Sequence, residues 1–339
     1  MINTENITYP VPKQEYKVLV RCFTFNQSKY IEDALNGFAM QQTNFPFVCL
    51  VMDDASTDGE QEVIKNWMFR ECDMSRAETI DIPTSVIIIV PHKINTTCFF
   101  AFYLLKQNLY KAKKEKMSHV TPWRDKCEYE AMCEGDDYWI DSYKLQKQVD
   151  FLDNHLDYGL VCSDINELNQ LTKEFKYNFF KNKRWNIKYS FDDFLINAWF
   201  LAPCTWLYRK EYLENDIIST KFIVGDLPLL LEISSNSKVK YLEESTAVYR
   251  VLPKSASHGF NFNKQIEFCK KVLGIQLYYM KKYNKMSLLK KTMTRWLLVM
   301  AKISYNYREY KYMTIFLHKF IKSCFCKYNY VDVISKLSV

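Results

Sequence analysis

Asp53-Asp54 and Glu134-Gly135-Asp136-Asp137 are the residues of this 339-residue chain best suited to do chemistry. Glu134, Asp136 and Asp137 crowd three negative charges into four residues, and these repel one another at close range unless a cation stands among them. Carboxylate oxygens are hard donors. Mg²⁺ and Mn²⁺ typically take one or two of them, with phosphate oxygens completing the shell. The expected chemistry is therefore a divalent cation holding a phosphorylated ligand. An acidic surface turn would look the same in isolation, but an apolar stretch precedes Glu134 and the aromatics Tyr138 and Trp139 follow Asp137.

Such side chains need a frame. Residues 18–25 (VLVRCFTF), 47–52 (FVCLVM), 86–90 (VIIIV) and about 129–133 read as strands, being short apolar runs bounded by polar and turn residues. Helices are expected over 30–41, with Ile31, Ala34, Leu35 and Phe38 on one face, and from the turn Ser56-Thr57-Asp58-Gly59 to about Arg70. Further helices are expected over 99–112 and 143–156, the latter with Leu145, Val149 and Leu152 inward. Strands and helices alternating at this spacing give an α/β fold, with a mostly parallel central sheet flanked by helices. Ligands of such sheets sit beyond the carboxyl ends of the strands, and both acidic clusters follow strand ends. One edge should carry both. Short strands are expected at 159–162, 204–208 and 239–242. After Asn261 the pattern is helical, with Met293, Trp296, Leu297 and Met300 in one stripe and Met313, Phe316, Leu317 and Phe320 in another.

Three segments in order, Phe23-Thr24-Phe25-Asn26, Val51-Met52-Asp53-Asp54-Ala55-Ser56-Thr57-Asp58-Gly59 and Cys133-Glu134-Gly135-Asp136-Asp137-Tyr138-Trp139, resemble the family-2 glycosyltransferases, inverting enzymes of the GT-A fold. The resemblance covers about residues 16–251. It implies a GT-A nucleotide-binding catalytic domain over 1–260, with 261–339 as a basic, amphipathic helical extension. By this likeness Phe23, Thr24, Phe25 and Asn26 border the nucleobase, though Phe23 and Phe25 also suit a core role. Asp54, with Asp53, would accept a hydrogen bond from the base. Asp136 and Asp137 match the motif that holds the metal and the ribose, and Glu134 stands at its first acidic position, where many members have Asp.

Gly225-Asp226-Leu227-Pro228-Leu229 resembles the family segment that supplies the catalytic base, here Asp226. A carboxylate suits that task when partial burial raises its pKa; the same residue is also placed to cap a helix. Ser163, Asp164, Thr205 and Trp206 fall where the family lines its acceptor cleft. Tyr249-Arg250-Val251 resembles a segment near the donor diphosphate. His258 comes later than the family's histidine and reads either as a metal or phosphate contact or as an exposed loop residue. The resemblance thus implies an inverting, hexosyltransferase-like enzyme using Mn²⁺ or Mg²⁺. It would move a sugar from a nucleotide-sugar donor, usually a UDP-sugar, to a glycan or lipid-linked acceptor in surface polysaccharide or glycoconjugate assembly. The alternative is a non-catalytic nucleotide-sugar- or glycan-binding protein of the same fold, which loss of the carboxylates would favour; they are present.

Composition narrows the classes. An apolar fraction of 48%, with 23 Phe and 24 Tyr, supplies a sizeable core. With 7 glycines, and Asn26-Gln27-Ser28-Lys29 after the first strand, the chain lacks the glycine-rich basic loop expected of a nucleotidyltransferase. The 11 cysteines stand singly apart from Cys324 and Cys326, without zinc-site spacing, and read as free thiols of a reducing cytosol. No signal segment opens the chain, and no apolar run reaches the roughly 18 residues needed to span a bilayer. A cytoplasmic protein is expected, peripheral on the inner membrane face at most. From Asn261 onward 16 basic residues face 3 acidic ones, a net of +13, whereas the preceding part holds 30 basic and 36 acidic. Lysines flanking apolar stripes suit an anionic membrane surface as partner. They form no readable nucleic-acid motif, so no nucleic acid is expected.

Overall fold

The computed structural model describes residues 12–183, 188–198, 201–212, 222, 224–253 and 261–325; His258 lies outside them. The strands are β1 (Tyr16–Thr24), β2 (Phe47–Asp53), β3 (Glu78–Ile82), β4 (Ser85–Pro91), β5 (Cys98–Leu105), β6 (Cys127–Met132), β7 (Tyr138–Trp139), β8 (Tyr158–Asn169), β9 (Phe175–Lys176), β10 (Leu207–Arg209) and β11 (Lys238–Val251). They form one sheet in the order β3-β4-β5-β2-β1-β6-β10-β8-β11-β7, with β9 beside β8. The central strands β5, β2, β1 and β6 are parallel. The pairings of β3 with β4, β4 with β5, and β10 with β6 and β8 are antiparallel. All seven residues of β2 are buried, as a strand covered on both faces requires.

Helices α1 (Ile31–Ala39), α2 (Glu60–Glu71), α3 (Met117–Arg124), α4 (Lys144–Asn154) and α5 (Phe179–Asn182) belong to the same body. On α1 the expected face is buried, Ile31, Ala34, Leu35 and Phe38 together. A glycine lets this helix close on β7: a Cβ at Gly37 would stand 2.8 Å from the Trp139 backbone nitrogen.

The helix expected over 99–112 is instead strand β5, followed by turns. Cys98–Leu105 (CFFAFYLL) is apolar at nearly every position, which fits a buried helix and a buried strand equally well. Hydrogen bonding to β2 on one side and β4 on the other decides for the strand. Of the strand expected over 204–208, the first part is a 3₁₀ turn, Pro203–Thr205, and β10 begins at Leu207.

Contacts gather the chain into two compact units. One comprises Met1–Trp185, Leu201–Asn215 and Ser237–Arg250; the other Asn186–Phe200, Asp216–Asn236 and Val251–Val339. The second unit therefore takes in segments that precede residue 260. Its described helices are α6 (Phe191–Asn197), α7 (Asp226–Asn236), α8 (Phe262–Lys282), α9 (Leu289–Asn306) and α10 (Tyr310–Phe325). Asn261 starts α8, its side chain accepting from the Lys264 N–H at 3.0 Å. On α9 the stripe Met293, Trp296, Leu297 and Met300 is buried as expected, and the Trp296 indole donates to Gln276 of α8 at 2.6 Å. The α10 stripe divides: Met313, Phe316 and Phe320 are half-buried, whereas Leu317 turns outward. Among the described residues no helix is long and apolar enough to cross a membrane, and nine cysteines are free and buried.

Candidate functional site

The parallel register sets the geometry. Thr24 at the end of β1 lies opposite Asp53 at the end of β2, and Arg21 lies opposite Met132 at the end of β6. Beyond β6 the chain bends across the end of β1: the Cys133 N–H donates to Arg21 at 3.1 Å, and the Gly135 N–H to Phe23 at 3.2 Å. The two acidic clusters and residues 23–26 thus share one edge. Only glycine passes at position 135, where a Cβ would stand 2.3 Å from the Thr24 hydroxyl oxygen and 2.6 Å from the Gln27 side-chain oxygen.

Two loops are laced together at this edge. Glu60, fully buried at the start of α2, accepts from the Thr24 hydroxyl, from the Gln27 N–H at 2.8 Å and from the Ser56 hydroxyl at 2.8 Å. The Asn26 side chain accepts from the Thr57 N–H at 2.8 Å, and the Asn26 backbone N–H donates to the Ser56 hydroxyl oxygen at 2.8 Å. Asn26 and Ala55 both take left-handed backbone, at φ 56° and 57°; for alanine that is a strained conformation, of the sort that clusters at functional sites. Thr24 is therefore a buried tie. Phe23 and Phe25 are half-buried and Asn26 exposed, with the Lys116 ammonium 5.5 Å from the Phe23 ring and Lys111 5.8 Å from the Phe25 ring.

Asp53 and Asp54 are both buried. Asp53 Oδ1 accepts from the Ser56 N–H at 3.0 Å and the Gln61 amide at 2.6 Å, fixing the loop that follows. Asp54 holds a more distant segment: Oδ1 accepts from the Leu109 N–H at 2.6 Å, and Oδ2 from the Tyr110 N–H at 3.3 Å while pairing with Lys116 at 2.8 Å. Both carboxylate oxygens of Asp54, expected to read a base, are engaged by the chain itself, whereas Asp53 Oδ2 is buried with no hydrogen-bond partner. Lys116 and Glu60 carried no signal in the sequence beyond, respectively, a lysine-rich stretch and an acid opening a helix.

Asp137 is buried and accepts from the Arg250 N–H at 2.8 Å. The Arg250 guanidinium, also buried, donates to the Asp136 carbonyl oxygen at 2.7 Å, pairs with Asp33 and lies 4.3 Å from the Tyr138 ring centroid. It braces the acidic loop from behind. Burial raises the Asp136 carboxyl, partly offset by Gln27 and Arg250. Burial and then the charge of Asp136 raise Asp137 well above the usual range. Glu134 is pushed up to about 7 by burial, with Asp136 adding and Arg21 and Lys116 opposing. Hard oxygens crowded until their charges become costly are what a divalent cation relieves. Among the described residues no group of three ligating side chains is arranged for a metal. Asp136 and Asp137 nonetheless fit an ion of the kind that takes one or two carboxylates and fills its shell from phosphates.

The residues expected to face an acceptor are interior. Asp164 accepts from the Phe180 and Lys181 N–H groups, both at 2.9 Å, and so anchors α5. The Ser163 and Thr246 hydroxyls lie 2.6 Å apart, and the Thr205 hydroxyl donates to Ala202 at 2.8 Å. Ser163, Asp164, Thr205 and Trp206 have no exposed surface. Pairing of the polar groups of Ser163, Asp164 and Thr205 explains why those residue types stand there, whereas the buried Trp206 indole N–H has no hydrogen-bond partner. Asp226 opens α7 in the second unit, half-buried, its carboxylate accepting from the Leu227 N–H at 2.8 Å.

No protein-family model matches the chain. It is similar to the uncharacterized proteins Rv1520 of Mycobacterium tuberculosis and Mb1547 of Mycobacterium bovis, each 29% identical over 227 residues, 67% of this chain and 56% of theirs. The chain therefore spans a little over half the length of these curated relatives. Its fold is similar to that of Staphylococcus aureus TarS 1-349, crystallised in complex with UDP-GlcNAc: TM-score 0.52, 15% identity, covering 94% of this chain and 83% of that one. A mannosyltransferase from Pyrobaculum calidifontis, in complex with GDP-Man and Mn²⁺, gives a TM-score of 0.46 at 13% identity, covering 96% and 92%. The TarS likeness shows the fold, which is the expected GT-A type: mixed α/β with a mostly parallel core flanked by helices.

Proposed function

We propose that this chain is a glycosyltransferase that moves a sugar from a nucleotide-sugar donor, a UDP-sugar by preference, to a hydroxyl of a glycan or lipid-linked acceptor with inversion. The observation that carries the reading is the meeting of Glu134, Asp136 and Asp137 with residues 23–26 at the carboxyl ends of β1, β2 and β6. It is supported by the fold shared with a protein crystallised with UDP-GlcNAc.

In this proposal Phe23 and Phe25 offer ring edges to the base, and Asp136 and Asp137 hold Mn²⁺ or Mg²⁺. A bound ion of this kind supplies charge neutralisation for a diphosphate leaving group. Arg250 acts through the loop it braces. Asp54 acts by holding residues 109–116 beside the aromatics, its oxygens being already taken. Asp226 is proposed as the base: it takes the acceptor proton as that oxygen bonds to the anomeric carbon and the bond to the diphosphate oxygen breaks. Calorimetric titration of the full chain with UDP and Mn²⁺ tests the binding half of this reading. Saturable binding that chelator weakens and Asp137→Ala weakens further is expected; a folded wild-type chain that takes up no nucleotide under these conditions would overturn it.

A further inference from the structure

The last two described helices present an edge that the proposed transfer chemistry does not use. On α9 the buried side holds Met293, Trp296, Leu297 and Met300, and α10 is tied to this helix where the Thr294 and Ser323 hydroxyls meet at 3.1 Å. The opposite side of α10 carries Tyr310, Thr314, Leu317 and Ile321 at intervals of three and four, one stripe along a helix. Tyr310 and Ile321 are each 54% exposed and Leu317 36%. Exposed beside that stripe, one position on, stand Lys311, His318 and Lys322. On α9 an outward stripe of Lys291, Leu298, Lys302 and Tyr305 continues the pattern, with Leu298 43% and Tyr305 61% exposed. The two stripes meet, because the Tyr305 and Tyr310 rings lie 6.5 Å apart, edge to face.

The result is one apolar line, Leu298–Tyr305–Tyr310–Leu317–Ile321, bordered by cations. Between Leu289 and Phe325 the sequence holds eight lysines and arginines and a single carboxylate, Glu309. Apolar side chains outward along amphipathic helices, tyrosines at the boundary and lysines on both flanks are the composition of a helix pair that lies in a lipid interface. Lysine stems can cover apolar surface while their ammonium groups reach the headgroups. The excess of positive charge selects the lipid. We infer that this edge of α9 and α10 docks on an anionic bilayer surface, with Leu298, Leu317 and Ile321 entering the headgroup boundary and Lys302, Lys311 and Lys322 facing acidic headgroups.

Sedimentation of the full chain with vesicles tests this, and because no nucleotide is present the outcome is independent of the proposed enzyme activity. Binding is expected to phosphatidylcholine vesicles doped with phosphatidylserine, falling as salt rises, and not to phosphatidylcholine alone. The pair Lys311→Glu and Lys322→Glu should weaken binding at least about tenfold. Leu317→Ser with Ile321→Ser should weaken it as well. All four side chains are exposed, so the unfolding midpoint should stay near that of the wild type; the charge pair keeps the test available where the serine pair does not fold. Binding to neither vesicle, equal binding to both, or full binding by the charge-reversed chain would each overturn the proposal. So would an absence of lipid binding together with self-association that the serine pair abolishes, which would assign the edge to a second copy of the chain.

Discussion

A carboxylate that accepts two backbone N–H groups and an ammonium is costly to remove, and Asp54 is in that position. Asp54→Ala leaves those donors without a partner and is expected to lower unfolding stability in urea by about 1–3 kcal/mol, while weakening UDP binding as residues 109–116 loosen. Lys116→Gln removes the ion pair and the cation over the Phe23 ring but leaves both N–H bonds to Asp54 in place, so its cost should be smaller than that of Asp54→Ala. An unchanged unfolding midpoint in Asp54→Ala would contradict the holding role. For Asp136→Ala and Asp137→Ala the expected loss is of activity: transfer falls to background while the far-ultraviolet circular dichroism is retained, since both residues lie in a loop beyond the strands, although Asp137→Ala also leaves the Arg250 N–H without its acceptor. Where these carboxylates stand was legible in the sequence, because acids directly after an apolar run mark a strand end. What they touch was not. The partners of Asp54 lie 55 and more residues downstream, and no local pattern announces a hydrogen bond across that distance. Ser163, Asp164, Thr205 and Trp206 show the complementary difficulty: polar types suggest a cleft, yet here each is interior and the hydrogen bonds of the first three tie neighbouring elements together.

Elements are joined beneath the site by one buried charge cluster. Glu130 of β6 accepts from Arg21 of β1 at 2.8 Å, from Arg124 of α3 at 2.5 Å and from the Tyr208 hydroxyl of β10 at 2.6 Å. Burial alone would raise the Glu130 carboxyl, but Arg124 and Arg21 outweigh it and hold the group at about 2. A folded pKa below the unfolded one gives stability that is fully present above the unfolded value of about 4.3. That stability is lost as the pH falls through the folded value. The difference in unfolding free energy between wild type and Glu130→Gln should therefore be constant near neutrality, at about 3–5 kcal/mol for a broken buried pair, and shrink between about pH 4 and pH 2. A difference independent of pH over that window would count against the cluster. Periodicity revealed α1 and α4, whose apolar faces repeat at helical spacing. It misassigned β5, because a run that is apolar at nearly every position has no period to read; hydrogen bonding from both neighbours settles such a segment, and that information is not local.

Asp226, proposed as the base, opens α7 in the second of the two compact units. Asp226→Asn keeps the shape and removes the basicity. It should abolish transfer to an acceptor and leave UDP affinity within about twofold, a split that a purely structural cap would not produce; equal losses in both would assign Asp226 to structure. The charge asymmetry that separates the C-terminal helices from the rest was visible in the composition, as was the buried stripe of α9. The outward turn of Leu317 and the meeting of Tyr305 with Tyr310 needed the helices in place. The central claim, sugar transfer from a nucleotide donor at the edge formed by β1, β2 and β6, is tested most directly by measuring nucleoside diphosphate released from a panel of nucleotide sugars with Mn²⁺, wild type against Asp136→Ala. The account expects the wild-type chain to turn over a UDP-sugar and the variant to stay at background. A folded wild-type chain that releases diphosphate from none of the donors, or an Asp136→Ala chain as active as wild type, would contradict it.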